Sequence, residues 1–143
     1  QRHGLPIDEV LSEWREANGE TRHRMTALGR DAPLVTAAGP YPAGLQAFHY
    51  SSEFGTHADD VGAPVAPDEW PGRTAWRVSF GRFALTEQDA PVKTWISNDN
   101  LTVELGALTT GLSPENFVEA TVGRLPESYP IEPALRDALR CLA

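Results

Sequence analysis

The chain has 143 residues, 41% of them apolar and 22% charged, which fits one ordinary domain or two small ones and argues against disorder. Twelve Lys and Arg against twenty Asp and Glu leave a formal charge of −8, without the basic footprint that a duplex nucleic-acid binder needs. No apolar run reaches the ~18 residues of a membrane span, and the single cysteine, Cys141, excludes an internal disulfide framework. The expected setting is therefore a soluble, acidic protein of the cytoplasm.

Gln1 is not an initiator residue, and Gln1–Gly4 lacks the charged-then-apolar pattern of a signal peptide. Residues 7–28 repeat apolar side chains at threes and fours (Ile7, Val10, Leu11, Trp14, Ala17, Thr21, Met25, Leu28), which predicts an amphipathic helix. Pro6 suits its first turn, Asp8 and Glu9 suit the positive end of its dipole, and Gly29 stops it. Gly19 costs this helix up to ~1 kcal/mol relative to Ala, so burial of the Trp14 face is expected to compensate. Pro33, Gly39, Pro40 and Pro42 predict a loop over 30–42, with a rigid turn at Ala38-Gly-Pro-Tyr-Pro. Helical spacing returns over 43–61 and ends at Gly62 and Pro64.

The Pro/Gly-rich stretch 63–72 is the expected domain boundary, dividing a helical part (1–62) from a small α/β part (73–143). Residues 73–87 read as a helix, although Trp76, Val78 and Phe80 also fit strand alternation. Two short β-rich runs, 92–96 and 101–105, flank Ser97-Asn-Asp-Asn and predict a hairpin. Ser113-Pro-Glu opens a further helix with Phe117, Val118, Thr121 and Val122 inside, stopped at Gly123. A last helix is expected over 132–142, with Ile131, Leu135, Leu139 and Leu142 in register. Two long helices, a linker and then α-β-β-α-α give an α+β fold class.

One stretch carries chemistry. His49, Glu53 and His57 recur every four residues in the second helix, and Asp60 follows three later. Residues at i and i+4 share a helical face, with Cβ atoms ~5–6 Å apart. A carboxylate and an imidazole there can meet one divalent ion, and zinc accepts both at ~2.0–2.2 Å. Asp60 is placed to accept the other His57 N–H and orient the ring. His49 is the alternative ligand, but it lies ~12 Å from His57 along the axis. The plainer reading of Glu and His at this spacing is a weak surface ion pair. The small residues Ser52, Gly55, Thr56 and Ala58 leave room for an ion, and the stripe is expected to line a cavity between helices.

The segment Leu45-Gln-Ala-Phe-His-Tyr-Ser-Ser-Glu-Phe-Gly-Thr-His-Ala-Asp-Asp-Val-Gly-Ala-Pro resembles the fourth helix of the DinB-like, mycothiol-dependent maleylpyruvate isomerase family. Val10-Leu-Ser-Glu-Trp-Arg resembles the third helix. Gly81-Arg-Phe-Ala-Leu and Ala120-Thr-Val-Gly-Arg-Leu-Pro are similar to the α/β region that follows the bundle. The resemblance implies a helical bundle holding a divalent metal, most often zinc, on two His and one Glu. It also implies a low-molecular-weight thiol of the mycothiol type as cosubstrate, for isomerisation or S-transfer. Glu53 and His57 match two of the ligand positions. The third family ligand, a His on the second bundle helix, has no counterpart here, since only six residues precede the first predicted helix. The expectation is that those helices are missing from this polypeptide, lie on another chain, or have been lost with the site. Two bundle helices alone leave apolar surface exposed, which predicts a second polypeptide or a homo-oligomer completing the bundle.

The alternative is a non-catalytic binding module on the same scaffold. His3 and His23 are expected in solvent, and Cys141 is expected to behave as a small buried hydrophobe. Trp14, Trp70, Trp76 and Trp95 are expected as core or interface anchors. Arg82 and Arg124 are expected in ion pairs, with an anionic ligand as the other reading. No nucleophile elbow, Walker or dinucleotide-binding pattern occurs.

Overall fold

A computed structural model describes residues 4–37, 39–97 and 100–142. His3 lies outside these residues, as do Ala38 of the predicted turn and the Asn98-Asp99 tip of the predicted hairpin. The elements in order are α1 (Ile7–Leu28), β1 (Pro33–Thr36), β2 (Gly39–Pro42), α2 (Ala43–Asp60), α3 (Trp70–Glu87), β3 (Lys93–Ser97), β4 (Asn100–Leu105), β5 (Leu108–Leu112), α4 (Pro114–Thr121) and α5 (Pro133–Leu139). The fold class is α+β, a helical part followed by a small α/β region. The chain divides into two compact units, Gln1–Ser51 and Ser52–Ala143. This break falls inside α2 rather than at 63–72, so the last turns of α2 belong with the C-terminal unit.

In the first unit, α1 has the expected limits, but none of its residues is buried. Trp14 is 49% exposed, so the burial expected to offset Gly19 is not provided by the described residues. Within the stretch 30–42 expected as a loop, 33–36 and 39–42 are strands. β1 and β2 pair antiparallel, with Pro33 opposite Pro42 and Val35 opposite Pro40. The Ala43 N–H donates to the Ala32 carbonyl at 2.9 Å, which makes 32 and 43 a hydrogen-bonded pair. By alternation, 33:42 and 35:40 are non-hydrogen-bonded pairs. All three prolines therefore occupy positions where the ladder needs no N–H.

The second unit is built around a three-stranded antiparallel sheet in the order β3-β4-β5. β4 is central, and its Leu101 and Val103 point into the core while Thr102 and Glu104 stay partly open. α4 and α5 pack on this sheet, and α3 packs on α4. Phe117, Leu112, Leu135 and Leu139 fill the space between them, each 1% exposed or less. β5 is absent from the sequence reading. Leu105 pairs with Leu108 across Gly106-Ala107, and Gly106 takes φ 59°, the hairpin turn that a Gly at its first position permits. α3 begins at Trp70, inside the expected linker, with Pro71 in its first turn. α4 is capped as its sequence predicts, since Ser113 Oγ accepts from the Asn116 N–H at 3.2 Å. α5 stops at Leu139, short of the expected 142, and the Leu142 N–H donates instead to the Thr121 carbonyl.

The tryptophans do not anchor the core. Trp70 and Trp95 are 50% and 41% exposed, and Trp76 is half-buried and stacked on Phe80. No helix among the described residues is long and apolar enough to cross a membrane.

Candidate functional site

The last two turns of α2 bring Glu53, His57 and Asp60 together. Glu53 Oε2 lies 3.5 Å from His57 Nε2, and Asp60 Oδ2 lies 3.1 Å from His57 Nδ1. The ring is thus held between two carboxylates from adjacent turns, at the helix end where the backbone dipole favours positive charge. The other oxygen of Asp60, Oδ1, accepts from Arg124 Nη2 at 2.6 Å.

The surroundings are open. The side chains of Glu53 and His57 are 66% and 71% exposed, so the expected cavity between helices does not enclose them among the described residues. At Gly55 the nearest atom a Cβ would meet is the Trp76 ring at an ordinary 4.0 Å, so there is room for a methyl beside the backbone. His49 makes its described contacts within the first unit, where its Nε2 lies 3.1 Å from Tyr41 Oη. Among the described residues, no group of three or more His, Cys, Asp and Glu side chains is arranged to hold a metal ion.

The donors nevertheless suit part of a zinc site. Two ligands at ~2.0–2.2 Å around a tetrahedral ion stand about 3.3–3.6 Å apart. The 3.5 Å between Glu53 Oε2 and His57 Nε2 falls in that range. A simple i,i+4 ion pair shows a similar separation. The second carboxylate on the far ring nitrogen is the added feature, and it is the arrangement that orients metal-binding imidazoles.

Beside this site lies an open cleft of about 630 Å³, lined by the ends of α2, α3 and α4. Its floor is an arginine cluster that sequence reasoning missed. Asp59 takes Arg73 on one oxygen and Arg77 on the other. Arg77 is buried at 8% exposed, and Arg73 also donates to the Gly55 carbonyl at 2.7 Å and lies over the Trp70 ring. The only local signal was the i,i+4 spacing of Arg73 and Arg77. Their acid lies 14 and 18 residues upstream, and nothing in the sequence pairs them.

Arg82 donates to the side chain and carbonyl of Thr94. His23 is exposed on α1, as expected. Cys141 is half-buried against the core, and burial pushes its thiol from an ordinary 9.0 up to about 11. It is therefore protonated at neutral pH and is no nucleophile there.

Comparison of the chain with protein-family models, curated proteins and solved structures gives no match.

Proposed function

We propose that the chain supplies part of a metal- and thiol-dependent isomerase or S-transferase of the maleylpyruvate isomerase type. The observation that carries this reading is the 3.5 Å approach of Glu53 Oε2 to His57 Nε2, with Asp60 on the opposite ring nitrogen. In it, Glu53 gives an anionic donor and His57 a neutral one. A divalent ion bound there, zinc by the donor chemistry, would act as a Lewis acid that lowers the pKa of a coordinated thiol. A catalytic zinc takes three protein ligands. The third donor would come from a further helical surface, upstream in the same protein, on a second polypeptide or on a second copy. The mycothiol-type cosubstrate rests on the family resemblance alone.

A second reading is a non-catalytic interaction module, favoured by α1. No residue of this 22-residue helix is buried, and Ile7, Leu11, Trp14 and Leu28 face solvent.

Equilibrium dialysis of the untagged protein against zinc separates the two. With two of the three ligands on this chain, the isomerase-type reading expects weak zinc uptake that approaches one ion per chain only at saturating zinc, and that is weakened at least about tenfold in Glu53→Ala and in His57→Ala. No uptake at saturating zinc, or uptake unchanged in both variants, rejects the metal site and leaves the module.

A further inference from the structure

Four side chains form one line of contacts from solvent to scaffold. Glu53 meets His57, His57 meets Asp60, and Asp60 meets Arg124. The first three belong to the end of α2, and their side chains are 66%, 71% and 42% exposed. Arg124 belongs to the α/β scaffold. It follows Gly123, which turns the chain at φ 72°, and its N–H donates to the Glu119 carbonyl at 2.8 Å. The next residue, Leu125, is buried in the core at 6% exposed. The guanidinium therefore projects from a fixed backbone.

We propose that Arg124 is the positioning residue of the His57 site. By holding Asp60 Oδ1 it presents Oδ2 to His57 Nδ1, and it thereby fixes the tautomer in which Nδ1 carries the hydrogen. Glu53 Oε2, at 3.5 Å from Nε2, is the weaker acceptor beside Asp60 at 3.1 Å from Nδ1, so the hydrogen stays on Nδ1 and Nε2 keeps its lone pair. The tautomer of a neutral histidine follows the hydrogen bond made by one of its nitrogens. A carboxylate that rotates freely fixes it poorly, and one pinned on its far oxygen fixes it well. A half-exposed ion pair adds little to stability, so a purely structural Arg124 would leave the ring unchanged. The purpose of the device rests on the metal reading proposed above; its geometry does not.

The test reads the ring directly. Long-range ¹H–¹⁵N correlation spectra of the metal-free protein, at mildly alkaline pH, report which His57 nitrogen carries the hydrogen. The wild type is expected to show mainly the Nδ1–H form, Arg124→Ala a shift towards Nε2–H, and Arg124→Lys a return towards the wild type. Zinc dialysis of the same proteins is expected to show about a tenfold loss of affinity in Arg124→Ala, the lower end of what outer partners of a ligand contribute. Equal tautomer populations in wild type and Arg124→Ala overturn the proposal, whatever zinc does. A tautomer shift in a protein that binds no zinc supports the positioning role and removes the metal reading. Zinc binding that needs Glu53, with no tautomer shift in Arg124→Ala, does the reverse.

Discussion

Asp59 and Asp60 are adjacent, yet they do opposite work. Asp60 stays at the surface between an imidazole and an arginine. Asp59 turns inward and is shared by Arg73 and Arg77, the latter buried. A buried guanidinium without its carboxylate is strongly unfavourable, because it has left water and gained nothing in exchange. Thr56 Oγ1, at 3.4 Å, is a weak substitute. Asp59→Ala is therefore expected to destabilise the protein by about 3 kcal/mol, the low end for breaking a buried pair. The low end applies because Asp59 keeps 24% of its side-chain surface in solvent. Urea unfolding of the variant against wild type measures it, and a change under about 0.5 kcal/mol, as for a neutral surface site, contradicts the buried pair.

Two glycines in helices make opposite demands. At Gly81 of α3, a Cβ would sit 3.0 Å from both Phe117 Cε1 and Thr121 Cγ2, side chains of α4 that are themselves 1% exposed or less and have nowhere to move. At Gly55 of α2, the nearest atom would be the Trp76 ring at an ordinary 4.0 Å. Gly81→Ala is expected to cost about 1–2 kcal/mol net, with overpacking outweighing the gain in helix propensity. Gly55→Ala is expected to stabilise by about 0.5–1 kcal/mol. Unfolding midpoints of the two variants moving in the same direction would contradict this. The sequence could not distinguish these glycines, because what separates them is a neighbour on another helix. Local features were legible: the periodicity of α1 and α2, the Ser113-Pro-Glu start of α4, and the Glu53, His57 and Asp60 spacing all act within a few residues. β1 and β2 were hidden because three prolines normally exclude a strand, and only the pairing register shows that none removes a ladder bond. β5 was overlooked although Gly106-Ala107 is a two-residue hairpin turn. The arginine partners of Asp59 and Asp60 were out of reach, since they meet only after folding.

At the scale of the molecule, stability is unevenly distributed. The buried core is that of the second unit, on α3, β4, β5, α4 and α5. α1 has two acids in its first turn, which favour a helix, but no side-chain cap at Pro6 and no buried residue. Most helical stability in proteins comes from packing of an amphipathic face, and none of the 22 residues of α1 is buried among the described residues. Hydrogen exchange of the dilute protein is accordingly expected to give β4 and α4 amides the protection of global unfolding, and α1 amides little. The apolar stripe of α1 then contributes nothing to the chain's own stability, and Trp14→Glu should move the unfolding free energy by less than about 0.5 kcal/mol. If instead α1 is protected as well as β4 in dilute protein, and Trp14→Glu removes both that protection and some stability, the stripe is already covered. Raising the protein concentration then identifies the cover: protection of α1 that grows with concentration belongs to a second copy, because only association depends on it.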